Sequence, residues 1–422
     1  MVEIRPFKGI YFNKNKIDKI EEVITPPYDI ISPGAQERFY QRHPYNIIRI
    51  VLGKTYPKDT ENSNCYTRAK EYYDDLMDKE VLVQNKQPAL FVYQQEFSVN
   101  SKKLRRLGLI GRIHIEEYQK RIILPHEATL KKPKLDRFLL IKNTHLNLCP
   151  IFGLYEDPEL TINKILKKIT LSEPMMTFTD EYQITHTLWK TEISSEIEEI
   201  QKLLADRRVL IADGHHRYEV AIQFKKYLSD FLKNPPDSIN YTLFCLTGME
   251  DKGLVVFPIH RLIRNLSRTQ KQRLLEKLPE DFDIERFPAQ QIEETLSQKG
   301  QKSTSFWVFF ADSPEVLIIT LKKSEAGEDT LDSLDVSRLH NLIFKNLLHF
   351  GPENNEDNIQ YTKDTEKVLQ GVKSGLWAAG FLLNPTKIEQ VKEVAFSGQL
   401  MPQKSTYFFP KLISGLVINN IS

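Results

Sequence analysis

Apolar and polar positions along the chain switch between two periods, and the switches mark out its elements. Residues 45–52, 89–97, 107–115, 150–155, 209–212, 241–247 and 254–257 are runs rich in β-branched and aromatic side chains, which predicts strands. The runs at 89–97 and 107–115 flank the basic turn Ser101-Lys102-Lys103 and read as an antiparallel hairpin. Residues 64–77 instead place Tyr66, Ala69, Tyr73 and Leu76 at helical spacing, and residues 192–204 put Ile193, Ile197, Ile200 and Leu204 on one stripe. A further helix is expected over residues 219–228, ended by Asn234-Pro235-Pro236-Asp237.

Beyond this point the texture changes. Residues 265–298 are rich in Lys, Gln and Glu and predict helix, strands follow at 306–310 and 316–321, and residues 323–332 read as a flexible surface connector. Residues 337–348 and 363–374 predict helices, as does a short segment after Pro385. Hairpins mixed with intervening helices, without an internal repeat, predict an α+β fold with mixed, largely antiparallel sheets. The expected organisation is a phosphate- or nucleotide-binding catalytic region at 1–262, an α/β insertion or second domain at 263–330, and a C-terminal α+β segment at 331–422 that packs back on the core.

Composition narrows the class. With 41% hydrophobic residues, 27% charged residues and a formal charge of +2, the chain is of ordinary globular type, so any anion site must be local and broad electrostatic binding of nucleic acid is not expected. No run approaches the roughly 18 apolar residues of a membrane helix, and the start lacks the order of a signal peptide, which predicts a cytoplasmic protein without membrane contact. Cys65, Cys149 and Cys245 are odd in number and far apart, so neither a disulfide framework nor a zinc cluster is indicated.

The densest chemistry lies at Asp213-Gly214-His215-His216-Arg217, where a strand-like run hands over to a helical pattern. The first turn of a helix offers backbone donors and the positive end of the dipole, which stabilise an anion. Gly214 permits a tight turn and Arg217 can grip phosphate oxygens in a fork. His215 and His216, being adjacent, suit phosphate binding better than a shared metal ion. Asp213 and Glu219 are candidates for holding Mg²⁺, with Asp213 also a candidate base. The plain alternative is an Asx-turn at Asp213, with Arg217 paired to Asp213 or Glu219.

Other candidates surround this segment. His126 and Glu127, with Asp136-Arg137 after a lysine-rich run, form a possible second wall, against the alternative of a solvated basic loop. Tyr28 and Asp29 follow two prolines and present a rigid edge, and Asn46 and Arg49 are candidates for the same cleft. Lys404 and Ser405 precede the aromatic Tyr407-Phe408-Phe409. Gly108 and Gly111 sit inside a strand pattern and make no dinucleotide fingerprint, and neither a P-loop nor a nucleophile elbow is present.

These segments resemble the bacterial and archaeal domain-of-unknown-function family numbered 1015. The likeness runs nearly end to end, through Arg5-Pro6-Phe7, 25–31, 46–49, 125–129, Asp136-Arg137, Pro150-Ile151-Phe152, 212–221, 258–261 and 401–411. More remotely, Asp-Gly-His-His-Arg is similar to the segment of free-serine kinases on the ParB and sulfiredoxin scaffold. That resemblance implies a ParB/sulfiredoxin-like nucleotide-binding unit in which Gly214, His215, His216 and Arg217 hold nucleotide phosphates. Partition proteins carry arginine-rich DNA-binding helices and sulfiredoxins a cysteine near the motif, and this chain has neither feature, which disfavours both activities.

The expectation that follows is a small-molecule kinase. ATP or ADP would donate a phosphoryl group to a metabolite hydroxyl, free serine being one candidate, with Mg²⁺ as helper. Asp213, Glu127 and His216 are the candidate catalytic residues; Gly214, His215, His216, Arg217, His126 and Arg137 would bind the nucleotide; Tyr28, Asp29, Asn46, Arg49, Lys404 and Ser405 would bind the acceptor. The alternatives are a non-catalytic sensor of a nucleotide or phosphometabolite and, less favoured, a nucleic-acid protein. Exposed hairpin ends leave a homodimer open.

Overall fold

The structure, a computed structural model, describes residues 1–129, 131–288, 303–322, 329–350 and 358–422. The chain falls into two compact units, one built from residues 1–125, 129–255 and 410–422, the other from 126–128 and 256–409. This division differs from the expected one. The described residues within 263–322 share a unit with those within 329–409, and 410–422 belong to the first unit. Parts of the expected helix at 265–298 and of the connector at 323–332 lie outside the described residues.

The first unit is centred on a nine-stranded sheet. Its strands are β1 (Ile4–Arg5), β2 (Leu90–Val99), β3 (Lys102–His114), β4 (Ile123–Leu124), β5 (Ile151–Tyr155), β6 (Met176–Thr179), β7 (Thr185–Thr191), β8 (Val209–Asp213) and β9 (Tyr241–Gly248). They lie in the order β4-β8-β5-β9-β3-β2-β7-β6, with β1 on β3. Only β8 with β4 and β9 with β5 run parallel; the remaining pairs are antiparallel. The predicted hairpin is β2–β3, closed through Asn100 and Ser101 at φ 49° and 63°, the paired left-handed geometry that a tight hairpin requires.

Alternation sorts these strands onto two faces. Leu107 and Leu109 of β3, Val209 and Ile211 of β8, and Phe244 and Leu246 of β9 share one buried cluster with helices α5 (Thr161–Ile169) and α6 (Ser194–Ala205), through Ile162, Leu166, Ile197 and Ile200. The opposite face carries Ile110, Cys245, Phe152 and Asp213, which are register neighbours across β3, β9, β5 and β8. A bulge between Ile211 and Asp213 bends β8 just before it ends. Helix α7 (His215–Phe231) begins earlier than its pattern suggested, because His215, Tyr218, Ala221, Phe224 and Leu228 continue one buried stripe. It packs on α4 (Lys131–Thr144), where Val220, Phe224 and Leu228 meet Ile141 and Ile421.

One predicted strand is a helix. Residues 45–52 contain the single-turn helix α2 (Ile48–Val51), between α1 (Pro33–Arg42) and α3 (Cys65–Asp78). Ile47, Ile48, Ile50 and Val51 are all buried, and so short an apolar run, broken only by Arg49, has no period that separates a helical turn from a strand. Asn46 settles the matter locally, since its side-chain oxygen accepts from the Ile48 N–H at 2.9 Å.

The second unit has its own six-stranded antiparallel sheet. Its strands are β10 (His260–Ile263), β11 (Phe282–Pro288), β12 (Ser305–Phe310), β13 (Glu315–Leu321), β14 (Ile359–Thr362) and β15 (Ala379–Leu382), in the order β11-β13-β12-β15-β10-β14. Its core includes Trp307, Ile318, Val368 and Leu382. The helix expected from residue 265 is α8 (Arg268–Asp281), which ends two residues past Pro279 and gives way to β11. The helix expected at 337–348 starts as α9 (Asp335–Arg338) and continues as a π-helix over Leu339–Lys345. The whole is therefore α+β with largely antiparallel sheets, as the patterning predicts.

Phe244 is fully buried between β-sheet neighbours and α7. Phe244→Ala is expected to cost about 3–5 kcal/mol through the cavity it leaves, measured as a lower urea midpoint with little change in slope.

Candidate functional site

The strand-turn-helix at residue 213 forms as a unit because of what Gly214 allows. Gly214 sits at φ 98°, in the left-handed region that L side chains avoid, and serves as the N-cap of α7. Any Cβ there would lie 2.8 Å from the guanidinium carbon of Arg217, which folds back over the glycine. The guanidinium then donates to Asp213 Oδ2 at 2.7 Å, to the Pro150 carbonyl and to the Cys149 carbonyl at 3.3 Å. Lys411, brought in by the C-terminal piece of the same unit, ion-pairs with the other Asp213 oxygen.

This geometry changes the expected role of Asp213. Its side chain is 16% exposed, and those of Arg217 and Lys411 are 13% and 12% exposed. Burial by itself would raise the Asp213 carboxyl, but the Lys411 ammonium and the Arg217 guanidinium outweigh it and hold the group well below the usual carboxylate range. A carboxylate with both oxygens on cations is a poor base and a poor metal ligand. It orients the two cations instead. Arg217 likewise turns its fork inward rather than toward a phosphate. Burial would lower it, yet Cys149, Asp213 and Asp29 together push it above its ordinary value.

Glu219 does not join Asp213. Its Oε2 accepts from Thr129 at 2.8 Å and from Lys134 at 2.7 Å. Among the described residues no group of three or more His, Cys, Asp or Glu side chains is placed to hold a metal ion. Asp213 and Glu219, each already paired with a cation, thus do not form the expected two-acid Mg²⁺ site. His215 is buried and His216 half-buried at the start of α7.

Tyr28, Asp29 and Arg137 do come toward this centre. Tyr28 and Asp29 lie in a single 3-10 turn after Pro27, and the Arg137 guanidinium lies over the Tyr28 ring at 4.0 Å. A narrow cavity of about 60 Å³ is lined by Tyr28, Arg137, Cys149 and Arg217, among others. Burial and the neighbouring Asp29 charge push the Tyr28 phenol up to about 12, against the pull of Arg137 and Arg217. The exposed Asp29 acts on Arg217 and Tyr28 by charge without a hydrogen bond to either being part of the network above.

Asn46 and Arg49 have other work. Asn46 is wholly buried, donates to the Glu22 carbonyl at 2.7 Å and accepts from Ile48. Arg49 donates to the carbonyls of His43 and Tyr40 at 2.9 and 2.7 Å and lies over the Tyr40 ring. Both hold loops together through these bonds.

The remaining candidates belong to the second unit. His126 is wholly buried, with Nε2 3.0 Å from the Thr406 hydroxyl and its ring edge on Phe408. Glu127 accepts from the Lys404 N–H at 3.0 Å and bridges to Met401. Ser405 is buried and donates to the Pro402 carbonyl at 2.5 Å, while Lys404 is exposed at φ 60°. These contacts fasten the 401–408 loop, a structural use the sequence did not suggest.

Two residues near Asp213 escaped the sequence reading. Lys411 stands 198 residues away in the chain, and its only signal was its place in the 401–411 segment of the family likeness. Arg106, fully buried in β3, lies 4.6 Å over the Phe152 ring, donates to the Pro410 carbonyl at 2.5 Å, and is close enough for Asp213 to act on its charge. In the sequence it follows Arg105 just ahead of the strand run expected at 107–115, so nothing there marked it as inward-facing.

Comparison with known proteins agrees with the segment likeness. The sequence profile of the family described as a protein of unknown function, DUF1015, matches residues 4–337, and the chain belongs to that family. No curated protein matches the chain. Among solved structures it is similar to a conserved hypothetical protein from Pyrococcus furiosus, 13% identical over 69% of this chain and 91% of that one, with a TM-score of 0.33. It is also similar to a free serine kinase in complex with AMP, 12% identical over 68% of this chain and 83% of that one, at 0.35. SbnI with a C-terminal truncation, from Staphylococcus aureus, is 9% identical over 72% and 84%, at 0.34. No helix among the described residues is long and apolar enough to cross a membrane.

Asp213→Asn removes the one carboxylate between Arg217 and Lys411 and is expected to cost about 3–5 kcal/mol at neutral pH. Because the folded carboxyl is held low, its contribution is complete above roughly pH 3.9, the unfolded value, and is lost as pH falls toward the folded one. Denaturant titrations should therefore show wild type and variant converging in acid. Gly214→Ala is expected to cost at least about 1–2 kcal/mol from the left-handed backbone alone, read as a lower Tm.

Proposed function

We propose that this chain is a small-molecule kinase whose phosphate site is the start of α7. ATP or ADP is the donor, and a metabolite hydroxyl, with free serine the first candidate, is the acceptor. The observation that carries the reading is the left-handed Gly214 turn opening a 17-residue helix directly beside the Lys411 and Arg217 cations. A helix of that length presents its positive end to an anion, and Asp213 holds the Lys411 ammonium in a fixed place beside it. The likeness of Asp213-Gly214-His215-His216-Arg217 to the free-serine kinase segment supports the same assignment.

In this reading Lys411 and the first turn of α7 hold the terminal phosphate. The acceptor oxygen attacks phosphorus, the bond to the leaving ADP or AMP breaks, and the hydroxyl proton passes to His216, a half-buried residue of that turn. Asp29, exposed on the rigid turn after Pro27, orients the acceptor. Asp213 positions the cations and takes no proton, and no step is routed through Mg²⁺.

One observation favours a second reading. The carboxylate nearest the helix start is ion-paired on both oxygens, an arrangement that suits a sensor binding a nucleotide or phosphometabolite without turnover.

The test is a screen of the full chain with ATP or ADP and single hydroxyl metabolites, scored for phosphorylated product. Product with one acceptor supports the kinase, whereas tight nucleotide binding without product supports the sensor. In either case Lys411→Met is expected to weaken nucleotide binding by about 10- to 100-fold, the loss of one charge-assisted hydrogen bond. Unchanged affinity in a folded variant would remove the phosphate from this position.

A further inference from the structure

A larger hollow lies elsewhere in the first unit, among α1, α2, α3 and α4. Its volume is about 410 Å³, toward the lower end of the roughly 300–1,000 Å³ usual for small-molecule sites. Its charged lining consists of two matched pairs. Glu37 and Lys54 meet at 2.5 Å, with the Lys54 ammonium 4.4 Å above the Tyr40 ring. Asp136 accepts from Arg137 Nε at 2.7 Å and from the Tyr66 hydroxyl at 2.9 Å. Arg137 is only 9% exposed and donates to the Val51 carbonyl at 2.7 Å, so its guanidinium cannot swing out into solvent.

The charges select a ligand class. Two cations and two carboxylates line one hollow, so a phosphate drawn by Lys54 and Arg137 meets repulsion from Glu37 and Asp136. An apolar guest would strip water from all four without replacing it. A molecule with its own ammonium and carboxylate does neither, since each of its charges finds an opposite partner. The Ile50 and Leu140 side chains leave an apolar stretch of wall for an aliphatic portion.

We propose that this hollow binds a small zwitterion of the α-amino acid class, its carboxylate facing Lys54 and Arg137 and its ammonium facing Glu37 and Asp136. The site stands independently of phosphoryl transfer, and occupancy requires no nucleotide. Arg137 also covers the Tyr28 ring, so the ligand touches the residue that borders the Arg217 cavity.

The experiment is isothermal titration of the full chain, free of nucleotide, with each proteinogenic α-amino acid in turn. At least one is expected to bind, and its N-acetyl derivative and its α-amide are each expected to bind about tenfold more weakly or worse, because each loses one charge. Glu37→Gln and Lys54→Met, both at the rim, are expected to weaken the same amino acid by about tenfold while circular dichroism shows an intact fold. Absence of binding by every amino acid overturns the proposal. So does equal binding of the blocked derivatives, which needs no variant to interpret. Lys54-dependent binding of inorganic phosphate alone would make the hollow an anion site and overturn it as well.

Discussion

One half-buried carboxylate organises the candidate site. Asp213 ends β8, accepts Arg217 from the first turn of α7, and accepts Lys411 from the C-terminal piece of the unit. Three poorly exposed charges are costly to desolvate, and an ion pair in such a place is weak evidence for stability taken alone. Its value here is geometric. The pairing fixes where the strand stops, requires Gly214 because the guanidinium lies against it, and ties chain segments 198 residues apart. Removing Asp213 would leave both cations without their counter-charge, so the turn and the tail are specified together.

Much of this fold is legible in the sequence because its signals are periodic. The β2–β3 hairpin and the strands β5, β8 and β9 emerge where apolar residues alternate or run continuously, and α3 and α6 where they recur at helical spacing. The exceptions share a cause. Ile48, Ile50 and Val51 are all buried around a half-buried Arg49, so their pattern does not distinguish a helical turn from a strand. The end of α8 is decided by the pairing of Phe282–Pro288 with Glu315–Leu321, a long-range contact that no local window contains.

The candidate site was legible in kind but not in wiring. Asp213, Gly214 and Arg217 do meet at a strand-to-helix turn, and the plain alternative of an Asp213–Arg217 pair is what forms. The sequence does not reveal that the guanidinium points inward, because that depends on the Cys149 and Pro150 carbonyls beneath it. Lys411 had no local motif of its own. Asn46, Arg49, His126 and Ser405 carry functional residue types, yet each is consumed by backbone or hydroxyl partners that only folding supplies.

The strong hold on Asp213 bears on what chemistry the turn can perform. A general base works best when its proton affinity lies near the working pH, and a carboxyl held far below the ordinary range is remote from that condition. Phosphoryl transfer tolerates this. Its transition state is loose, with charge spread over phosphate oxygens, so positioning and fixed positive charge supply most of the acceleration and proton removal can come late. Acyl transfer or proton abstraction from carbon would need a strong base at the turn, and Asp213 is committed elsewhere. With Asp213 spent on aligning an ammonium and a guanidinium, the turn suits the proposed phosphoryl transfer, in which the late proton passes to His216 rather than to the acid.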